Sequence, residues 1–227
     1  MTIEEAITAL KSLATPDHLS KLSHFGIEDT TALGVKVPLL RQFAKEIGKN
    51  HELALELWNS GIHEARLLAS MIEDPQKITE MQFDSWVSDF DSWDICDQCC
   101  NTLGKTTFSL QKIDEYSAHS EEFVKRTAFV LICEQAVHHK DTDNEQFYHF
   151  LKIIEREAWD ERNFVRKAVN WALRQVGKRN ETLRIKAVET GERILLQDTK
   201  SARWIAKDAL RELNSREVIT RINNKIG

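Results

Sequence analysis

The sequence predicts an all-α chain built as a solenoid of stacked antiparallel helix pairs, and three observations carry that prediction. First, HEARLLASMI (63–72), FVKRTAFVLI (123–132), FVRKAVNWAL (164–173) and ARWIAKDAL (202–210) repeat one pattern: a bulky or charged opening, a basic residue, then small apolar residues. Aligned on Leu67, Arg126, Lys167 and Trp204 they recur at offsets of 59, 41 and 37, and the first gap has room for one more unit around SWDICDQCC (92–100). A period near ~40 residues is that of helix pairs which bury their apolar faces against neighbouring copies. Second, Gly and Pro are scarce, 8 and 3 in 227 residues, and no alternating segment with a hairpin signal appears. Third, helix starts and stops are legible along the chain.

In order, Pro38 sits in a first helical turn, where its missing N–H is no loss, and Gly48 follows as a stop. Asn50 and Gly61 bracket the next helix. Asp91 is placed to cap a helix that Gly104 ends, and Ser120, followed by Glu121 and Glu122, starts another with its dipole satisfied. A helix over 161–178 ends near Gly177, with Lys178 and Arg179 in its last turn. About a dozen helices joined by short loops result. No linker is long enough to divide the chain, so residues 1–227 read as one α-solenoid domain of HEAT-like type with a concave inner surface.

Composition fits a soluble chain, with 41% hydrophobic and 30% charged residues. No run reaches the ~18 apolar residues of a membrane span. The start, MTIEEAITALK, has acids where a secretory signal needs a basic segment, so a cytoplasmic protein with reduced thiols is expected. Net charge is −5, unevenly spread: residues 1–120 hold 10 Lys and Arg against 19 Asp and Glu, whereas 121–227 hold 21 against 17. Such asymmetry is compatible with a basic face in the second half or with ordinary fluctuation.

Faces of three helices stand out. At ~100° per residue, Val165, Val169, Ala172 and Val176 form the core stripe of the 161–178 helix. Trp171 lies off that stripe and shares a face with Lys167, Arg174 and Lys178. A tryptophan among cations suits a surface that meets nucleic acid, where cations hold phosphates and a ring packs on sugar or base. The same pattern also suits a ring packed on the next repeat and covered by Lys and Arg stems. In DSWDICDQCC (91–100), Trp93 and Asp97 are four apart and lie on one face, while Asp94 points about a quarter-turn away, free to cap or pair. The acids Asp91 and Asp94 also suit a helix N-terminus, which accounts less well for Asp97, further in. Arg126 sits in a helix apolar on nearly every side and needs an anionic partner, an internal acid or a ligand phosphate.

Cys96, Cys99 and Cys100 put thiols on one helical side, but a zinc site draws four ligands from turns and separate elements, and only Cys133 remains. They read as small core fillers, with no metal or cofactor expected. Walker, dinucleotide-binding, GxSxG and HExxH motifs are absent, which argues against the commonest nucleotide-dependent and hydrolytic chemistries.

Taken together these segments resemble the AlkD-like DNA alkylation repair family, bacterial DNA glycosylases built of HEAT-like repeats. ALGVKVPLLRQFAKEI (32–47), SWDICDQCCNTLG (92–104), FVKRTAFVL and FVRKAVNWALRQVGK (164–178) stand in the family's order at comparable spacing. The resemblance implies that Trp93 and Trp171 are active-site tryptophans, Asp97 the catalytic aspartate and Arg126 a DNA-contacting arginine. It places Arg174 beside the second tryptophan, with Lys167 and Lys178 as further phosphate contacts. The implied reaction is excision of cationic N3- or N7-alkylated purines from double-stranded DNA. Such a base is already a good leaving group, so a carboxylate that stabilises the oxocarbenium ion and orients water suffices, without metal or cofactor. The expected form is a monomer free of the membrane. Two departures bear on this: Ser92 stands where the best-known members have a second Trp, and Cys96, Cys99 and Cys100 replace expected aliphatic residues. The alternatives are a HEAT-like DNA-binding protein that excises nothing, and a protein-binding scaffold against which the basic stripe on 167–178 counts.

Overall fold

The computed structural model describes residues 1–27 and 30–224. Among them are fourteen α-helices, one 3-10 turn and no strand, and the chain separates into two compact units, Met1–Thr107 and Phe108–Gly227. None of the described helices is long and apolar enough to cross a membrane.

The first unit holds α1 (Ile3–Leu13), α2 (Pro16–Leu22), the 3-10 turn Ser23–Phe25, α3 (Val37–Ile47), α4 (His51–Asn59), α5 (His63–Ile72), α6 (Glu80–Ser88) and α7 (Trp93–Leu103). The predicted punctuation holds for α3, with Pro38 in its first turn and Gly48 at its end in a positive-φ conformation (φ 74°). It holds for α4 too, where the Asn50 side chain accepts from the Leu53 amide at 3.1 Å. It shifts at α7: the cap position is Ser92 and not Asp91, whose exposed carboxylate lies 3.6 Å from Arg66 instead. Helix α5 is the centre, packed against α3, α4 and α7.

Glu64 fixes how the chain enters α3. Its carboxylate is 1% exposed and accepts from the amides of Leu33, Gly34 and Val35 at 2.7, 2.6 and 3.0 Å. Three orphan N–H groups of a buried loop thus find one anion. Gly34 is required there: its φ is +83°, and a Cβ would stand 2.7 Å from the Thr15 carbonyl and 2.8 Å from the Leu19 Cβ.

The second unit holds α8 (Ser109–Ser117), α9 (Glu122–His138), α10 (Asn144–Glu157), α11 (Asn163–Gly177), α12 (Glu181–Leu195), α13 (Lys200–Leu213) and α14 (Arg216–Asn223). Helices α9, α11 and α13 pack side by side in one layer, while α8 packs on α9 and α10 on α12. These are the helices of the repeated segments, so alternate helices in sequence form one layer, as stacked helix pairs require. Helix α9 begins one residue later than Ser120 predicts, because Glu121 takes the cap position and the Ser120 carbonyl accepts from the Arg162 guanidinium. Every residue from Val124 to Ala136 is buried. Helix α11 is two residues shorter at its start and one at its end than the predicted 161–178, and Val165, Val169, Ala172 and Val176 form its buried stripe.

The charge that α9 buries is held by Lys125. Its ammonium lies 2.6 Å from Glu157 and 3.0 Å from Asp160, with all three side chains almost wholly buried. Burial pushes the Asp160 carboxyl up, but bonds from Arg162 and Lys125 outweigh this and hold its pKa at about 2. The four cysteines are buried free thiols, and burial raises Cys99 and Cys100 well above the ordinary thiol range.

Glu64→Ala should destabilise the chain by about 3 kcal/mol or more, because three buried amides lose a charged acceptor. Urea unfolding reads this directly, and an unchanged midpoint would show that the loop finds other acceptors.

Candidate functional site

The residues singled out in sequence fall into two groups. In the first unit, Trp93 and Asp97 lie one turn apart on α7, both partly exposed, while Ile95, Cys96, Cys99 and Cys100 face the core. The indole N–H of Trp93 donates to the Phe25 carbonyl at 2.9 Å, so the ring is anchored by backbone from the 3-10 turn. Beside it the Asp94 carboxylate accepts from the His63 imidazole at 2.9 Å. His63 is 4% exposed and opens α5, with its amide donating to the Thr31 carbonyl at 3.1 Å. The first turn of α7, which carries the aromatic ring and leads into Asp97, is therefore pinned on two sides.

The surroundings of the His63–Asp94 pair favour its ionised form. Burial pushes the His63 pKa down, but the hydrogen bond and charge of Asp94, aided by Glu64 and Asp91, outweigh it and the net shift is upward. Burial likewise pushes Asp94 up, and the bond and charge of His63 reverse this to a net lowering. The sequence singled out Trp93 and Asp97 but not His63; its place at the opening of a repeated segment is the one signal it offered. The Phe25 carbonyl offered none, since a backbone acceptor has no residue-type signature.

In the second unit, Trp171 is partly exposed on α11, and Lys167, one turn before it, is exposed. Arg174 and Lys178 continue the same face but are engaged internally. Arg174 donates to Glu212 of α13 at 2.5 Å and Lys178 to the same carboxylate at 2.7 Å. Burial pushes Glu212 up, and these two cations overcome it, leaving its pKa lowered. A phosphate at either cation would have to compete with Glu212. Arg126, on α9, is 5% exposed and donates through Nη1 to the Phe164 carbonyl at 2.6 Å, which ties α9 to the start of α11. Its neighbour Lys125 pairs with Glu157 and Asp160. No group of three or more metal-ligating side chains occurs among the described residues.

Residues 6–213 match the family described as DNA alkylation repair enzyme. The chain belongs to that family. A solved structure described as from "a new family of proteins related to the HEAT-like repeat DNA glycosylases with affinity for branched DNA structures" is similar at a TM-score of 0.79 and 21% identity, over 93% of this chain and 95% of that one. At that identity the likeness establishes the HEAT-like fold. An uncharacterized protein of Listeria innocua, Lin0241, is 29% identical over 89 residues, 38% of this chain and 40% of its own length. The match thus spans well under half of that relative.

Linkage gives the His63–Asp94 pair a pH window. His63 has a raised folded-state pKa, so its contribution is complete below ~6.5 and fades as pH rises through the folded value. Asp94 has a lowered one, so its contribution is complete above ~3.9 and fades as pH falls through the folded value. A double-mutant cycle of His63→Ala and Asp94→Asn should therefore give a larger coupling at pH 6 than at pH 9, on the order of 1–3 kcal/mol. Equal couplings at the two pH values would contradict an ionic pair.

Proposed function

We propose that this chain is a metal-independent, monofunctional DNA glycosylase that releases cationic N3- or N7-alkylated purines from duplex DNA. The observation that carries the reading is the Trp93–Asp97 pair on α7, an aromatic ring and a carboxylate one turn apart and both partly exposed, in a member of a DNA alkylation repair family. Alkylation makes the purine cationic and weakens its bond to C1′. No proton need be delivered to the leaving base. As that bond lengthens, C1′ becomes oxocarbenium-like, and the Asp97 carboxylate stabilises the charge and orients the incoming water. The bond broken is C1′–N, the bond formed is C1′–O, and the neutral alkylpurine departs with the electron pair while the attacking water loses a proton.

Trp93 offers its π face to the lesion nucleotide, and a cationic base is attracted to it more than a neutral one. Anchoring of Trp93 through the Phe25 carbonyl supports this role, because a fixed ring loses little freedom on binding. Lys167 is the best placed of these cations to hold a backbone phosphate, being exposed and, among the described residues, in no ion pair. Arg174 and Lys178 would exchange Glu212 for phosphate, and Arg126 acts from within the fold, through the start of α11.

A second reading, DNA binding without excision, is favoured by one observation: the protein of similar fold is described by its affinity for branched DNA. The two readings share salt-dependent affinity and differ in base release.

Asp97→Asn should lower release of N7-methylguanine from duplex DNA by about 10²–10³-fold with little change in DNA affinity. Absence of release by the unsubstituted protein, with DNA binding retained, selects the second reading. Lys167→Ala should reduce the log–log dependence of affinity on salt by about 0.9, the value for one phosphate contact.

A further inference from the structure

Helix α13 repeats the pattern of α9 and α11, yet the function proposed above leaves its outward face unused. Ala202, Ile205, Ala206, Ala209 and Leu213 are buried. Lys200, Trp204, Lys207 and Arg211 are exposed and succeed one another at steps of four, three and four along one stripe, with exposed Arg203 beside it. In the aligned segments Trp204 occupies the position of Arg126 on α9 and Lys167 on α11. Leaving a tryptophan 41% exposed gives up burial that a fold would otherwise use. Its ring is backed by Arg166 of α11, whose guanidinium carbon lies 5.4 Å from the ring centroid, so the side chain is braced and not loose.

The charges divide into engaged and available groups. Arg203 pairs with Asp198 at 2.8 Å, and Arg211 pairs with Asp208, which also lies 3.7 Å from Arg174. The Glu161 carboxylate accepts from the Lys200 backbone amide at 3.3 Å. Among the described residues, the ammonium groups of Lys167, Lys200 and Lys207 enter no ion pair. Helices α11 and α13 pack directly on each other. These two adjacent helices therefore carry three cations in no ion pair and one braced, exposed indole.

We propose that this α11–α13 face binds a DNA strand bearing an unpaired nucleotide, with Lys167, Lys200 and Lys207 neutralising backbone phosphates and Trp204 stacking on the unpaired base. Charge complementarity selects a polyanion, and the indole selects a base whose π face is not already covered by duplex neighbours. The inference rests on the DNA-binding reading and adds to it a preference for DNA with a single-stranded portion. It does not involve the chemistry assigned to Asp97.

The test is fluorescence anisotropy with two labelled DNAs, a fully paired duplex and the same duplex carrying a single-stranded flap, across a salt series. Trp204→Ala should weaken binding to the flap-bearing DNA by about ten-fold with an unchanged salt slope, and Trp204→Phe should keep most of the affinity. The double variant Lys200→Ala/Lys207→Ala should lower the slope by about 2 on the flap-bearing DNA. Both lysines are exposed, so this arm holds even if Trp204→Ala folds poorly. Unchanged affinity and slope in these variants, while the unsubstituted protein binds, overturns the proposal and leaves the DNA-binding reading standing. An equal loss on both DNAs for Trp204→Ala overturns the assignment to an unpaired base. No salt-dependent binding by the unsubstituted protein overturns both readings.

Discussion

A carboxylate removed from water at Glu64 is the interaction on which the first unit depends. It could be buried only because three consecutive amides converge on it, and those amides could be buried only because it is there. The loop so fixed sets the path into α3 and returns through the Gly34 carbonyl, which accepts from the Thr15 amide at 3.1 Å. The next residue along α5 in the N-terminal direction, His63, holds Asp94 and with it the first turn of α7. Two adjacent buried ionisable groups thus connect the loop before α3 to the helix that carries Trp93 and Asp97.

The second unit uses carboxylates at helix starts in a related way. Glu122, in the first turn of α9, accepts from the Phe164 amide in the first turn of α11 at 3.1 Å. Glu161, just before α11, accepts from the Lys200 amide at the start of α13 at 3.3 Å. Each helix in the layer therefore helps satisfy the orphan N–H groups of the next, where the dipole also favours a negative charge. Phe164 is held at both ends, since its carbonyl accepts from Arg126. Buried Asn170 adds a further tie, donating to the Ile205 carbonyl at 3.2 Å.

The same economy occupies several of the chain's acids. Glu64, Glu73 and Asp94 are inward-facing acids with structural partners; Glu73 accepts from Gln82 at 2.7 Å and lies 2.7 Å from the His51 ring nitrogen. Glu212 pairs with two cations that the family resemblance assigns to phosphate. A net charge of −5 is therefore a poor guide to the surface a DNA strand would meet. The unpaired lysines of α11 and α13 are the better one.

Periodicity made the helices, their repeat and their buried stripes legible, because the apolar positions of an amphipathic helix are a property of the segment itself. Pro38, Gly48 and Asn50 marked boundaries for the same local reason, and Asp97 and Trp171 stood out as residues set apart from a core. What periodicity cannot encode is partner choice. Lys125 and Arg126 are adjacent and both basic, and nothing in the segment says that Lys125 meets Glu157 and Asp160 or that Arg126 donates to the Phe164 carbonyl of α11. Division into two compact units left no linker to read, and the carbonyl that anchors Trp93 comes from residue 25. Those outcomes depend on which elements come to lie side by side, and the physical reason is that a hydrogen bond or ion pair is decided by proximity in space, which only the packed chain supplies.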